Sequence, residues 1–194
     1  MSRAVLSAGS NVGDRRAHLE SVVSGFADEL VAVSSVYATP PWGGVEQDDF
    51  YNIALIVDGP LSAAQWLARG AALEEAADRV REVRWGPRTL DVDVITVSDD
   101  HTTVSDDHTT VSDDNTTVSD NDDGVVVSDD PVLTLPHPRA AQRAFVLIPW
   151  LEIDPAAALW TPDGVVPVEG LLKQLDDSEK LGVRRVDTIG WASA

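Results

Sequence analysis

Residues 84–94 read Arg-Trp-Gly-Pro-Arg-Thr-Leu-Asp-Val-Asp-Val, and within them Leu90, Val92 and Val94 alternate with Asp91 and Asp93. That period of two predicts a strand with one buried face. Both carboxylates then project from the other face, with their Cβ atoms roughly 6.5–7 Å apart. Carboxylates withdrawn from water need a cation or hydrogen-bond donors. The cations on offer are Arg84 and Arg88 just upstream, or a metal ion. Hard carboxylate oxygens on one rigid strand suit Mg²⁺, which takes one or two carboxylates and completes its octahedron with water and substrate phosphates. Arginines beside such a pair suit a polyphosphate, because the guanidinium fork matches phosphate oxygens. The pattern points to a Mg-nucleotide site, and competes with the plainer reading of two acids on a solvated surface.

The plainer reading has weight because the chain is acidic, with a formal charge of −19 over 194 residues. Eleven aspartates fall between residues 98 and 130 with no lysine or arginine among them, which leaves −8 for the rest of the chain. A net negative field disfavours nonspecific nucleic-acid binding. Lys173 and Lys180 are the only lysines, a bias toward arginine that fits a salt-adapted host or plain compositional preference. With no cysteine, disulfides and thiolate metal sites are excluded. The run Ala4–Ala8 is too short for a signal sequence, and nothing approaches the ~20 apolar residues of a membrane span. A cytoplasmic protein with no membrane partner is the expectation.

Along the chain, residues 4–9 read as a first strand, and Asp14 after the turn cluster Ser10–Gly13 as the cap of a helix over about 15–30. Leu19, Val22, Val23, Phe26 and Leu30 give that helix a core face. Gly-Ser-Asn-x-Gly at 9–13 lacks the lysine and spacing of a Walker loop and reads as a strand-to-helix turn. Val31–Tyr37 reads as a second strand and Ile53–Val57 as a third, opened by Phe50-Tyr51-Asn52. Thr39-Pro40-Pro41-Trp42-Gly43-Gly44 makes the loop between them. A second helix runs from Leu61 to about Val80, capped by Ser62, and residues 89–97 form the acid-bearing strand. The order is β-α-β-β-α-β, which predicts an α/β (α+β) protein with a ferredoxin-like core, helices on one face, an added hairpin strand at Val125–Val127 and C-terminal helices. Residues 1–176 are expected as a single domain interrupted at 98–124, with 177–194 as a tail.

The run Arg84–Asp93 resembles the signature of the 6-hydroxymethyl-7,8-dihydropterin pyrophosphokinases, and Leu135-Pro136-His137-Pro138-Arg139 followed by Arg143-Ala144-Phe145 resembles their second hallmark. The resemblance covers about residues 3–97 and 125–176. It implies transfer of pyrophosphate from ATP to the pterin's hydroxymethyl group in folate biosynthesis, by a monomer with two Mg²⁺ ions on Asp91 and Asp93. It implies catalytic roles for Arg79, Arg88, Asp91 and Asp93. ATP contacts are implied for Glu74, Arg81, Trp85, Arg88, Thr134, His137 and Arg143. Thr39, Pro40, Pro41, Trp42, Phe50, Asn52, Asp91 and Phe145 are implied to line the pterin pocket. An asparagine can donate to and accept from an amide-like pterin edge, and a flat heterocycle needs aromatic faces. Val132, Ala71 and Pro138 depart from the polar residues that better-known members carry for adenine and ribose. The rival reading is a noncatalytic pterin- or nucleotide-binding protein with an acidic interaction loop.

The clearest departure is the segment 98–124. Val97-Ser98-Asp99-Asp100-His101-Thr102-Thr103 repeats at 104–110 and, with Asn115 for the histidine, at 111–117. Its period is seven, but valine is the only aliphatic residue in each unit, so it builds no coiled-coil seam. An odd period also alternates the face of successive valines in a strand. Low hydrophobicity with high charge predicts a loosely ordered loop. It is open to three readings: a tolerated expansion, a weak cation- or water-holding segment and a partner-binding loop.

Overall fold

The computed structural model describes residues 1–41, 47–77, 88–99 and 124–190, together with the backbone of 117–118. In chain order its elements are β1 (Ser2–Ser10), α1 (Arg15–Gly25), β2 (Leu30–Val33), β3 (Val36–Thr39), β4 (Phe50–Gly59), α2 (Ala63–Ala76), β5 (Asp91–Asp99), β6 (Thr117–Val118), β7 (Val126–Asp129) and β8 (Thr134–Leu135). A short 3-10 turn (Ala140–Gln142), α3 (Ala144–Ile153), β9 (Ala158–Thr161), β10 (Gly164–Pro167), α4 (Val168–Gln174), α5 (Asp177–Gly182) and β11 (Arg184–Asp187) follow.

The central sheet runs β11-β3-β4-β1-β5, with β2 also against β4. Every pair in it is antiparallel. Without β11 this is the strand order of a ferredoxin-like core. The two helix caps read from sequence are present: Asp14 accepts from the Ala17 N–H, and Ser62 and Gln65 form a reciprocal capping box. Such caps are worth roughly 1 kcal/mol each.

Alternation along the strands divides the interior into two cores. Ala4, Leu6, Ala8, Ile53, Leu55, Val92 and Val94 face one side, where they pack with Leu19, Val22, Phe26 and Trp66 of α1, α2 and the turn after α1. Val5, Ala54, Ile56 and Ile95 face the other, where Val146, Leu147 and Trp150 of α3 and Val168 and Leu171 of α4 cover them. The core's own helices α1 and α2 share one face, as expected, and the C-terminal helices α3 and α4 add a second helical layer on the other. Its source is α3, whose sequence Ala-Phe-Val-Leu-Ile-Pro-Trp-Leu-Glu-Ile is apolar nearly all round.

Three expectations change. The strand expected over 31–37 is split at Ser34-Ser35, because side chains take over the hydrogen bonds there. Ser34 Oγ accepts the Ala54 N–H at 2.9 Å, and Glu152 accepts the Ser35 N–H at 2.8 Å and its hydroxyl at 2.6 Å. Among the described residues Val125–Val127 is bridged to the central sheet by the backbone at Ser98–Val125, with Val126 packed into the first core, and β7 instead pairs with β6 and β8. Thr117–Val118, read as part of a loose loop, is thus a strand in its backbone; residues 100–116 and 119–123 lie outside those described. Finally, the expected tail 177–194 contributes α5 and β11, and β11 extends the sheet beyond β3. Ile189 then enters the first core, 8% exposed.

Candidate active site

The register of β1 lays out the site. Gly9 is paired with Asn52 on one side and with Asp91 on the other, so these residues form one row across three strands. Ser7 is paired with Ala54 and Asp93 in the next row. Residues in a row share a face, so Asn52, Asp91 and Asp93 lie on the α3 side of the sheet, with Ala54 and Ile95. The row has no side chain at its centre because Gly9 is there. A Cβ on Gly9 would meet Asn52 Oδ1 at 2.6 Å, closer than any carbon is tolerated. The glycine read from sequence as a turn residue is the floor on which the Asn52 amide lies.

At one end of the row the polar groups satisfy one another. Asn52 is 4% exposed and Thr39 4% exposed. The Asn52 amide nitrogen donates to Thr39 Oγ1 at 2.8 Å. Phe50 lies half-buried where β4 begins, and Pro40 and Pro41 follow Thr39 at the end of β3.

At the other end charges crowd. Arg88 contacts the Asp91 carboxylate, and Arg143 Nη1 donates to Asp93 Oδ2 at 3.2 Å. His137 Nε2 stands 4.0 Å from the same oxygen. Burial and the neighbouring Asp91 push the Asp93 carboxyl above the usual aspartate range, against the opposing pull of His137, Arg143 and Arg88. Burial lowers the His137 imidazole despite Asp93 beside it. His137 Nδ1 accepts the Arg139 N–H at 3.2 Å, so in the neutral ring the proton sits on Nε2, toward Asp93. The His137 N–H itself donates to the Ile95 carbonyl at 2.7 Å, which fixes the 136–138 turn against β5. Arg143 also lies over the Phe145 ring, 5.5 Å from its centroid, at the start of α3.

Two carboxylates crowded on one strand, each touching an arginine, are a hard-oxygen donor set that a divalent cation could share. No cluster of three His, Cys, Asp or Glu capable of holding a metal occurs among the described residues. The chemistry of the acid pair suits Mg²⁺, which needs few protein ligands when phosphates supply the rest.

Two residues read as ATP contacts have other partners. Glu74, buried in α2, accepts the Val92 N–H at 2.7 Å and so holds the acid strand in place. Thr134 donates its hydroxyl to the Asp130 carbonyl at 3.0 Å within the β7–β8 turn. Trp42, Arg79, Arg81, Arg84 and Trp85 lie outside the described residues.

Asn11 is the position that sequence reasoning passed over. Its Oδ1 accepts the Arg88 N–H at 2.7 Å, and its own N–H donates to the Arg88 carbonyl at 3.0 Å. Its amide nitrogen donates to Gln47 Oε1 at 2.9 Å and to the Asp48 carbonyl at 3.3 Å. One residue, 3% exposed, ties Arg88 to the segment preceding Phe50. The signal was an asparagine directly after a strand, yet that pattern equally marks an ordinary turn.

A ferredoxin-like sheet with an acid pair, two arginines and a histidine at one end, and a hydrogen-bonded amide beside them, defines a phosphotransferase-type site. The family model of 7,8-dihydro-6-hydroxymethylpterin-pyrophosphokinase matches residues 5–155, and the chain belongs to that family. It is 44% identical over 185 residues to the 2-amino-4-hydroxy-6-hydroxymethyldihydropteridine pyrophosphokinase of Mycobacterium tuberculosis, covering 95% of this chain and 89% of that one. It is 46% identical to the enzyme of the same name from Mycobacterium leprae, over 95% and 88% of the two chains. Among solved structures, a Plasmodium falciparum HPPK-DHPS superposes with a TM-score of 0.57 at 12% identity, a likeness of fold. The match covers 89% of this chain but only 44% of that longer one.

Proposed function

We propose that this protein transfers pyrophosphate from ATP to the hydroxymethyl oxygen of 6-hydroxymethyl-7,8-dihydropterin, as its family membership and its relatives' names support. The pterin oxygen attacks the β-phosphorus, the α–β bridging P–O bond breaks, AMP leaves, and the hydroxyl proton passes to solvent. The single observation that carries the reading is the row Asn52–Gly9–Asp91. It sets a neutral hydrogen-bonding amide about two strand spacings, roughly 10 Å, from the acid pair.

The Asn52 amide and Thr39 hydroxyl read the amide-like edge of the pterin, and Phe50 and Phe145 supply aromatic faces. Arg88, Arg143 and the Nε2–H of His137 orient the polyphosphate, which lets positioning and electrostatics carry most of the catalysis. Asp91 and Asp93 would hold Mg²⁺, two ions in this reading, to neutralise charge on the reacting phosphates. Glu74 and Asn11 act behind this layer by fixing the backbone at Val92 and Arg88.

The test is AMP release from ATP and Mg²⁺ with and without the pterin. Pterin-dependent AMP is the expected result. Folded protein that binds the pterin but releases no AMP at low or high salt would leave a binding module instead.

A further inference from the structure

The family match ends at Pro155, yet the chain after Leu175 returns to the pterin side of the sheet. In β11, Arg184 is paired with Ala38 and Arg185 with Tyr37, so this strand lies along the one that leads into Thr39 and Pro40. Just before it, Gly182 abuts Pro40, since a Cβ placed there would stand 3.2 Å from Pro40 Cδ. Arg184 then reaches across to Asp49, Nη2 to Oδ2 at 3.0 Å. Pro40 and Asp49 lie at the two ends of the segment that joins β3 to β4. Both therefore touch one stretch of three residues, 182–184.

The stretch is itself held from behind. Arg16 contacts the Asp187 carboxylate and donates to the Thr188 carbonyl at 3.1 Å. Ile189 is seated in the first core. Asp49 has a second anchor in the α1 side of the molecule, because Arg15 Nη1 donates to its carbonyl at 2.7 Å while lying 4.0 Å over the Tyr51 ring. A residue held so closely sets where the next one, Phe50, begins β4.

We infer that residues 182–189 form a clasp that positions the pterin pocket by holding Pro40 and Asp49 together, with Arg184 as its positioning residue. The inference rests on the pterin reading above for its ligand, but not for the clasp. An exposed ion pair is worth little energy on its own, so its role lies in geometry, and a change confined to it should move pterin binding rather than chemistry.

The test uses the full chain with Arg184→Glu, the charge swap Arg184→Glu with Asp49→Arg, and Arg185→Ala as a control on the same strand whose partner is Glu152 at 3.6 Å. Amide exchange at residues 47–50 is read without substrates, and KM for pterin and ATP with them. Arg184→Glu is expected to speed that exchange several-fold and raise the pterin KM about fivefold, with kcat and ATP KM within about twofold, the pattern of lost uniform binding. The swap should restore both, and Arg185→Ala should alter neither. Unchanged exchange in Arg184→Glu overturns the clasp. Faster exchange with an unchanged pterin KM overturns its positioning role. Absence of pterin-dependent AMP from the unaltered protein would fell the functional reading instead, while the exchange data would still decide whether 182–184 holds Asp49.

Discussion

The two ends of the Asn52–Gly9–Asp91 row are built on opposite terms. At the Asn52 end, a buried amide and a buried hydroxyl are neutral and bonded to each other. Such a pair loses nothing by waiting for a ligand, and it presents a fixed pattern of donors and acceptors. At the Asp93 end, a carboxylate stands beside a second carboxylate and is drawn partly out of water, so its charged form is disfavoured even with Arg143 and His137 close by. The difference shows how one sheet edge can carry both recognition and reactivity. Recognition would come from neutral groups bonded to each other, whereas affinity for a cation would come from carboxylates crowded together and drawn from water.

The strongest way to break that contrast is Asp93→Asn. Turnover should fall at least about 10³-fold, the scale on which loss of a preorganised charge-stabilising group is felt. The apo protein should nevertheless become more stable at neutral pH. Asp93 has a raised pKa in the folded state, so between the ordinary aspartate range and that raised value the folded form retains a proton that the unfolded chain has released. Stability therefore falls as the pH rises across that window. The asparagine variant should lack this slope in urea titrations taken at several pH values. A variant less stable than the parent at pH 7 would mean that Asp93 is a structural ion-pair partner rather than a cation ligand in waiting.

Asn52→Ala attacks the satisfied end. It leaves the Thr39 hydroxyl buried with one partner fewer, which should lower stability by about 1–3 kcal/mol. It should raise the pterin KM by roughly 10²-fold with little change in ATP KM, since a site built to hydrogen-bond its ligand suffers most when that bond is lost. Equal effects on both substrates would show that the two ends are not separable.

Asn11→Ala probes the link between the ends. Losing the bonds to Arg88, Gln47 and Asp48 displaces groups on both sides, so kcat/KM should drop about tenfold for each substrate. A loss confined to one substrate would assign Asn11 to one end only.

The sequence made the contact-rich parts of this site legible because local pattern and local structure agreed there. Alternation around Asp91 and Asp93 predicted β5, and Ser62 and Asp14 announced their caps. What stayed hidden depends on contacts distant in sequence. The break at Ser34-Ser35 is set by Glu152, more than a hundred residues away. The floor at Gly9 is defined by Asn52 on a neighbouring strand. β11 has all four residues exposed, so it carries no apolar alternation to betray it, and is a strand because β3 offers it an edge. Charge told little by itself, since residues 98–130, none of them site residues, account for −11 of the −19.

Glu74 gives the smallest expected effect and the finest test. Family resemblance reads it as a nucleotide contact, whereas in the fold it accepts the buried Val92 N–H between the two acids. Glu74→Gln keeps an oxygen for that amide, so kcat and ATP KM should stay within about twofold of the parent. Glu74→Ala leaves the amide without an acceptor and should cost about 1–3 kcal/mol of stability, with kcat falling because Asp91 and Asp93 flank the loosened position. A glutamine variant as stable as the parent but with a tenfold higher ATP KM would show that the carboxylate's charge serves the nucleotide. The contrast between the two ends would then sharpen: the crowded end would include an acid from the helix layer beneath it, reaching through the sheet's own backbone.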